Sequence, residues 1–407
     1  MNLWVKLDNN YTKAMINYKA TKRKGIKLDC KHFGECGSCG VHDKEYEKQV
    51  SNKVETLSTL LNKFHNKAID SFSSPSSNYR SRAEFRIWHN GDECSYAMGN
   101  MAKKGVVLIS ECPKVSKPIE ERMWRLIEII NASKVLSHRL FSVEFLATTT
   151  DECLIVMLYH KPLDEEWNSE VRELEATLNA NIIGRSRKQK VTISKEFVTE
   201  KLTIDNNEYL YRYYEGGFTQ PNPAVNIKMI EWAMNHARST NSANGTDLLE
   251  LYCGLGNFTI PLSKLFGKVL ATEISKNSIN AAKENCELND VNNIEFIRLS
   301  SEEMTIALNK QREFERLKGV DLDSYDFSCV LVDPPRAGLD DGTIKLITNI
   351  ENIIYISCNP HTLARDLETI TLTHEVTSAA MFDQFPHTEH MESGVFLRKL
   401  SKGKLTI

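Results

Sequence analysis

The carboxyl-terminal half of the chain alternates short apolar strands with helical segments. From about residue 206 onward, helical stretches separate the strand-like runs DLLELY, VLATE, FSCVLVD and NIIYIS, and AAMFDQF and GVFLRKL follow them. This order is typical of an α/β domain with a doubly wound parallel sheet. Ligands of such sheets bind in the crevice outside the carboxyl ends of the strands. The residues that directly follow each strand are therefore the first candidates for function.

Two glycines follow the first of these strands, in LELYCGLGNF. Gly254 and Gly256 lie between a strand and a helix, where glycine allows a tight turn and close approach of the backbone to a ligand. Thr259 replaces the third glycine of a dinucleotide fingerprint, and a phosphate-binding Gly-Lys-Ser/Thr motif is absent. Glu273 ends the next strand, where a carboxylate can accept hydrogen bonds from ribose hydroxyls. A ribose without a pyrophosphate indicates S-adenosylmethionine, and the alternative is an ordinary glycine turn.

Two further strands end in reactive side chains. LVDPPR ends in Asp333 and YISCNP carries Cys358, so both residues are expected to open onto the same crevice. Amine and hydroxyl acceptors of a methyl group need no thiol, whereas C5 of uracil becomes nucleophilic only after a thiolate adds to C6. A free thiol is mostly protonated at neutral pH. We therefore expect the site to lower the pKa of Cys358 or to supply a proton acceptor.

This chemistry also needs a base that removes the C5 proton after methyl transfer. The segment MFDQFPHTEHMESGVFL contains four candidates: His387, Glu389, His390 and Glu392. Glu392 precedes the terminal strand, so it is expected to face the crevice, and Glu389 is the alternative base. Taken alone, the segment is more typical of a solvated polar loop.

A cysteine-rich segment, LDCKHFGECGSC, lies near the start of the sequence. It carries Cys30, Cys36 and Cys39 in the pattern C-x5-C-x2-C. The sequence contains neither a signal-peptide pattern nor an apolar run long enough to span a bilayer, which favours a cytoplasmic protein without a membrane partner. In a reducing compartment, clustered cysteines indicate metal binding or catalysis. Other cysteines lie in apolar segments and are expected in the core: Cys153, Cys286 and Cys329.

The net charge of −3 excludes a wholly basic nucleic-acid binder, so any RNA contact needs a local basic face. The alternation in NYRSRAEFRIWH predicts a strand with Arg80, Arg82, Arg86 and Trp88 on one face, which suits an RNA backbone and a stacked base. A second basic patch suits phosphates: Arg185, Arg187, Lys188 and Lys190. The alternative for each patch is a solvated strand face.

Together these segments resemble the RNA uracil-C5 methyltransferase family, specifically its bacterial tRNA branch, which modifies the T-loop uridine at position 54. The resemblance rests on YRSRAEFRIWH, MLYHKPLDEEW, GGFTQPN, LLELYCGLGNF, ATEISKNS, VDPPR, YISCNP and FDQFPHTEHME. It implies that Cys358 is the nucleophile and Glu392 the base. It also implies cofactor contacts that join Gly254 of the glycine loop: Gln220, Tyr252, Asn257, Glu273 and Asp333. Asp333 has a second possible role, in positioning the uracil.

The amino-terminal cysteines depart from this branch, which typically lacks them. Their spacing, with the distant Cys112 of SECPKV, is similar to the four-iron four-sulfur site of relatives that act on ribosomal RNA. A zinc site of the same four cysteines is the competing assignment, and Cys94 is an alternative fourth ligand. The cysteines also keep a 23S ribosomal RNA uridine open as the substrate.

The predicted architecture has three parts. Residues 1–29 form an extension, and residues 30–205 form an α+β RNA-binding region that carries the cysteine cluster. Within it, a helix over 43–64 packs on the catalytic domain, and no OB-like domain is expected before the cysteines. Residues 206–407 form a Rossmann-like methyltransferase domain dependent on S-adenosylmethionine. No obligatory protein partner is evident, and the alternatives from another class are an RNA-binding or RNA-folding protein and an iron-sulfur sensor.

Overall fold

The structure is a computed structural model that describes residues 28–240 and 246–401. The predicted extension 1–29 lies outside the described residues, except for its last two positions. The elements of the amino-terminal part are α1 (Tyr46–Leu61), β1 (Asp70–Phe72), β2 (Arg82–Asn90), β3 (Glu93–Gly99), β4 (Val106–Ile109), α2 (Lys117–Ala132), α3 (Lys134–Ser137), β5 (Leu140–Ala147), β6 (Cys153–Tyr159), α4 (Glu165–Leu178), β7 (Asn181–Ser186), β8 (Gln189–Thr192), β9 (Phe197–Ile204) and β10 (Asn207–Tyr214).

The remaining elements alternate strand and helix as the sequence predicts. They are α5 (Pro223–Arg238), β11 (Asp247–Leu251), α6 (Thr259–Ser263), β12 (Val269–Thr272), α7 (Lys276–Leu288), β13 (Ile294–Ile297), α8 (Ser301–Leu308), β14 (Phe327–Val332), α9 (Asp341–Ile347), β15 (Asn352–Ser357), α10 (Pro360–Ile370), β16 (His374–Phe382) and β17 (Glu392–Lys399), with short 3-10 turns at Glu315–Leu317 and Leu322–Ser324.

Seven strands of the amino-terminal part form one sheet, in the order β4-β3-β2-β5-β6-β7-β8. Its pairs are antiparallel except β6 with β7. Helices α2 and α4 bury apolar side chains, among them Leu126 and Trp167, against strand residues such as Phe145. Ala83, Phe85 and Ile87 of β2 face this core, and the charged residues of β2 face outward. The region is therefore an α+β layer with one sheet face left uncovered by α2 and α4.

The second sheet has eight strands, in the order β1-β16-β17-β15-β14-β11-β12-β13. Strands β11 to β15 are parallel, as the alternation predicts, whereas β17 runs antiparallel to both β15 and β16. The short loop between β16 and β17 explains this reversal, because a parallel pair needs a longer crossover. Strand β1, from the amino-terminal part, extends the sheet by pairing with β16.

Helix α1 also packs on the second sheet and its helices. Leu57 and Leu61 are fully buried, in one cluster with Leu363 and Leu367 of α10. The spacing of Val50, Val54, Leu57 and Leu61 predicted this helix, and the observed element is a few residues shorter at each end than the predicted 43–64. The core also holds Cys153, Cys286 and Cys329, as predicted.

Within residues 28–240 and 246–401, no helix combines the length and the apolar character that crossing a bilayer requires.

Candidate active site

The loop after β11 has an unusual backbone. Tyr252, Gly254 and Gly256 have φ values of 65°, 57° and 88°, all in the left-handed region. For a tyrosine this conformation costs roughly 1–3 kcal/mol, a cost that concentrates at functional sites. A Cβ at Gly256 would lie 3.2 Å from Cδ1 of Ile260, so space as well as conformation favours glycine there. The loop thus turns sharply at the carboxyl end of β11.

Polar side chains hold this loop in place. The Glu273 carboxylate accepts hydrogen bonds from the Gly254 amide at 3.3 Å and from the Ser275 amide at 2.7 Å. The side-chain amides of Asn257 and Asn226 donate to each other at 2.9 and 2.8 Å. The strand-end carboxylate therefore contacts the glycine loop, at the position expected for a ribose-binding group.

Five of the six predicted cofactor residues line one cavity of about 50 Å³: Gln220, Tyr252, Gly254, Asn257 and Asp333. Glu273 is outside this lining and bonds to the Gly254 amide. Two buried polar atoms beside the cavity residues, Thr219 Oγ1 and Gln384 Oε1, have no hydrogen-bond partner among the described residues. The donor and acceptor set fits a polar, ribose-containing ligand.

Cys358 and Glu392 meet across two neighbouring strands. Ser357 of β15 pairs with Ser393 of β17 in antiparallel register, and Ser393 Oγ donates to the Ser357 carbonyl at 3.0 Å. One more step of this register places Cys358 opposite Glu392. On the other side of β17, Glu392 pairs with Phe382 of β16. The backbone of β17 at Glu392 thus lies between β15 and β16.

Burial controls the charge state of this pair. The pKa of Glu392, whose side chain is 4% exposed, is raised well above its usual value by burial and then by the charge of Asp333. Burial also raises the pKa of Asp333 to about 7. The pKa of Cys358 is raised to about 11, by burial and then by the charges of Glu392 and Asp333, against the lowering effect of Arg336. Of the two expected alternatives, a lowered pKa is therefore wrong for the free protein, because burial and two carboxyl groups outweigh one guanidinium. The other alternative, a proton acceptor beside the thiol, stays a prediction.

A second, larger cavity of about 490 Å³ opens onto Cys358. One wall of the cavity consists of residues of α1 and of the segment just before it, such as Lys44. Arg336 and His361 line another wall. The segment Thr388–Met391 closes the third side. Glu389 lies on this rim and is exposed, whereas Glu392 is buried. His390 is also exposed, with Nδ1 3.5 Å from an Arg336 nitrogen. This cavity is an entry route that reaches the thiol from outside.

The amino-terminal cysteines surround a third cavity, of about 190 Å³. It is lined by Cys30, Cys36, Cys39 and Cys112. Cys94 does not line it, and its sulfur lies 3.4 Å from Nδ1 of His89. Among the described residues, no three His, Cys, Asp or Glu side chains lie close enough to hold one metal ion. The four predicted ligands nonetheless line the same cavity.

Only some of the predicted RNA-binding side chains of β2 and the residues before it are free to contact RNA. Arg82 donates to Glu144 at 2.8 Å and to the Gly217 carbonyl at 2.6 Å, and Arg80 donates to the Arg82 carbonyl at 2.8 Å. Arg86 instead lies over the ring of Phe141, 5.2 Å from its centroid. The outer face thus keeps Arg86, together with Trp88, which is 48% exposed.

The structure adds two aromatic residues that the sequence pattern did not reveal. Phe141 of β5 stacks on His160, with ring centroids 4.5 Å apart. Simple alternation in LFSVEFLA would place Phe141 on the core face with Val143 and Phe145, but the strand has an irregularity between Leu140 and Ser142, so the sequence phase could not reveal this contact. In the second basic patch, Arg185 and Lys190 both pair with Glu215, whereas Arg187 and Lys188 are exposed.

The fold and the site define a class of protein. The mixed sheet with a glycine loop at its carboxyl edge is the fold of S-adenosylmethionine-dependent methyltransferases. The same fold occurs in the crystal structure of Pyrococcus abyssi tRNA (uracil-54, C5)-methyltransferase in complex with S-adenosyl-L-homocysteine, with a TM-score of 0.67. The similarity covers 88% of this chain and 85% of that one at 23% sequence identity, so it shows the fold alone.

Sequence comparison identifies the family. The profile of the tRNA (Uracil-5-)-methyltransferase family matches residues 45–400. A tRNA/tmRNA (uracil-C(5))-methyltransferase of a Sulfurovum species is 65% identical over 371 residues, which cover 91% of this chain and 99% of the relative. The protein of the same name from a Nitratiruptor species is 50% identical, over 91% of this chain and 100% of that relative. The chain belongs to the tRNA (uracil-5-)-methyltransferase family, and it is an RNA (uracil-C5)-methyltransferase.

The charges around Cys358 predict how its reactivity changes with pH. Because its pKa is about 11, alkylation by iodoacetamide at neutral pH is expected to be slow and to rise with pH. Asp333→Asn removes a negative charge and should lower the pKa of Cys358, whereas Arg336→Met should raise it. The measurement is the pH profile of alkylation at Cys358, followed by peptide mass mapping. Equal profiles for the two variants would contradict this electrostatic account.

Proposed function

We propose that the chain methylates C5 of the T-loop uridine of tRNA with S-adenosylmethionine, through a covalent adduct between Cys358 and C6 of uracil. The observation that carries this proposal is the register of β15 and β17, which brings a strand-end thiol opposite a buried carboxyl group. The names of the Sulfurovum and Nitratiruptor relatives, which specify tRNA and tmRNA, support the class of RNA. The motifs that resemble the bacterial tRNA branch, such as FTQPN and FDQFPHTEHME, support the T loop.

Each protein group has one task in the proposed reaction. The Cys358 thiolate forms a bond to C6, and the electrons of the C5=C6 bond move onto the ring as an enolate. S-Adenosylmethionine, when bound, supplies an electrophilic methyl group. C5 of the enolate takes this methyl group and becomes tetrahedral. Glu392 then removes the C5 proton, the C5=C6 bond re-forms, and the C6–sulfur bond breaks to release the thiolate.

The two ionisable groups suit these tasks in different ways. The proton on C5 needs a base that water does not reach, and Glu392 is nearly inaccessible. Its raised pKa makes its carboxylate a stronger base than an exposed glutamate. Cys358 precedes the amino end of α10, where the helix dipole favours a thiolate. The helix end and Arg336 therefore favour the ionised thiol, against the effect of burial.

The cofactor would lie along the glycine loop. Glu273 would accept hydrogen bonds from the ribose, as the strand-end acid does in related folds. Gln220, Tyr252 and Asn257 line the adjoining cavity, together with Asp333. Asp333 also adjoins the Cys358 and Glu392 pair electrostatically, so it is suited to hold the cofactor or the uracil.

The outer face of the amino-terminal sheet is the proposed RNA surface. Arg86, Trp88, Phe141 and His160 offer a cation and aromatic planes for stacking. Arg80 and Arg82, which bind within the protein, would instead shape this surface. Flipping the target uridine out of its stack costs a few kcal/mol, which stacking and phosphate contacts must offset.

The RNA substrate can be identified directly. Incubation with a labelled methyl donor and total RNA should label a T-loop uridine of tRNA, located by digestion and mass spectrometry. The same reaction on 23S ribosomal RNA is the second candidate, which the cysteine spacing favours. Label confined to 23S RNA would replace the tRNA proposal. RNA that already lacks 5-methyluridine should be used, so that the acceptor position is free.

The nucleophile and the base can be tested separately. Cys358→Ala should abolish methylation and covalent capture by 5-fluorouridine RNA, and cofactor binding should persist. Glu392→Gln should slow turnover by roughly 10²–10⁴-fold, the usual contribution of a general base, and let the covalent RNA adduct accumulate. Glu389→Gln is the matched control, because Glu389 is exposed on the cavity rim. If Glu389→Gln accumulates the adduct and Glu392→Gln turns over normally, the base is Glu389.

We propose further that Cys30, Cys36, Cys39 and Cys112 hold a four-iron four-sulfur cluster. The four thiols line one cavity of about 190 Å³, and four thiolates are what such a cluster requires. A zinc site of the same four cysteines is the competing assignment. Lys114 and Arg80, whose charges act on Cys39, would offset part of the negative charge of the site.

Metal analysis distinguishes the two assignments. Protein purified without oxygen should be brown and contain about four irons and four acid-labile sulfides per chain. Cys112→Ser should lower the iron content, whereas Cys94→Ser should leave it unchanged, because Cys94 does not line the cavity. Colourless protein with one zinc per chain would overturn the cluster proposal.

A further inference from the structure

The loop between β16 and β17 carries the chain into Glu392. Its two ends are fixed together, because Phe382 pairs with Glu392. Its last residues before Glu392, Thr388 to Met391, line the cavity that reaches Cys358. The position of these residues therefore depends on how the first half of the loop, from Asp383 to His387, is held.

A buried ion pair holds the start of this loop. Lys53 of α1 donates to Asp383 Oδ1 at 2.6 Å and to the Phe385 carbonyl at 3.0 Å. The Lys53 and Asp383 side chains are 5% and 0% exposed. Tyr46, also of α1, donates to Asp383 Oδ2 at 2.7 Å and accepts from the Ser74 amide at 2.8 Å. Both carboxylate oxygens of Asp383 are therefore bound by one helix.

A second group of contacts holds the middle of the loop. His387 is fully buried and has a left-handed backbone, with φ of 62°. Its amide donates to Gln49 Oε1 at 3.0 Å, and its carbonyl accepts from the Val41 amide at 3.0 Å. Its Nε2 lies 2.7 Å from the Ser76 carbonyl. A strained residue of this kind keeps its conformation only when its surroundings fix it.

These contacts share one origin. All of the partners just named lie between residues 41 and 76, outside the part of the chain that carries the cofactor loop and Cys358. Cys358 is held differently, by β15 and by Asn359, which caps α10. Loosening α1 would therefore release the residues that lead to Glu392, Thr388 to Met391, and leave the thiol in place.

We propose that α1 acts as a clamp on the loop from Asp383 to Met391, with Lys53 and Gln49 as positioning residues for proton abstraction by Glu392. The inference rests on the function proposed above. Proton transfer requires the base within hydrogen-bond reach of the C5 proton, so a shift of about 1 Å is enough to slow this step about a hundredfold. Thiol addition and methyl transfer do not use Glu392 and are expected to continue.

The test separates the two halves of the reaction. With labelled methyl donor and tRNA, Lys53→Met should keep the rate of methyl transfer in a single turnover within about twofold of the original protein. Its steady-state turnover should fall at least about tenfold, with labelled RNA trapped covalently on the protein. The double variant Lys53→Met/Asp383→Asn, which leaves no unpaired buried carboxylate, should recover part of the turnover.

The matched control breaks a different ion pair. Arg122 of α2 pairs with Asp151, in the turn between β5 and β6, and the Arg122 side chain is 8% exposed. Arg122→Met should lower stability without trapping RNA. If Lys53→Met loses methyl transfer and turnover in equal proportion, or if Arg122→Met traps RNA to the same extent, the clamp is overturned.

A milder variant covers the case in which Lys53→Met does not fold. Gln49→Met keeps the length of the side chain and removes both contacts with His387. It should also trap RNA, and normal turnover of this variant would overturn the clamp. Failure of the proposed function would look different, because the original protein itself would then form no covalent complex with 5-fluorouridine RNA.

Discussion

The antiparallel pairing of β15 with β17 is the constraint on which the site depends. In a wholly parallel sheet, the residues after each strand share an edge, but no strand begins there. Because β17 runs in the opposite direction, its first residue starts where β15 ends. Cys358 leaves one strand at the point where Glu392 enters the other. The backbone pairing of the sheet therefore brings the proposed nucleophile and the proposed base to neighbouring positions.

This arrangement has an electrostatic consequence. The thiol and both acidic side chains lie in a region where burial disfavours charge, and the pKa of each is raised. A carboxyl group that resists ionisation becomes a strong base once it loses its proton. A thiol with a raised pKa is also protected from adventitious alkylation and oxidation until its environment changes. The same burial therefore supports the proposed proton abstraction and restrains the nucleophile in the free protein.

Local sequence rules predicted the parts of the site that follow from strand ends. The rule that parallel strands end at one edge predicted one crevice for Gly254, Glu273, Asp333 and Cys358, and the structure brings these residues to that edge. It could not predict the charge state of Cys358, because the neighbours that set it belong to other strands: Glu392 begins β17, and Asp333 and Arg336 follow β14. The contacts of α1 with the loop between β16 and β17 could not be predicted either. Periodicity predicts a helix and its apolar face but not the polar partners of Lys53. The alternation of β2 predicted its outward face, yet it could not reveal that Arg82 binds Glu144 of the next strand.

The amino-terminal part also contacts the loop between β16 and β17. Tyr79 is buried, and Cys39 and Cys112 act on it electrostatically. Its hydroxyl donates to the carbonyl of Pro386, in the loop between β16 and β17, at 3.0 Å. Phe33, between Cys30 and Cys36, packs edge-on against His387, with ring centroids 5.6 Å apart. The cysteine-lined cavity is thus separated from the loop that leads to Glu392 by single side chains. Strands β11 to β15 alone could complete the glycine loop and present Cys358, but the loop before the base takes its shape from residues far earlier in the chain. The two sheets therefore form one functional unit, in which the part that would meet the RNA also supports the group that would finish the reaction.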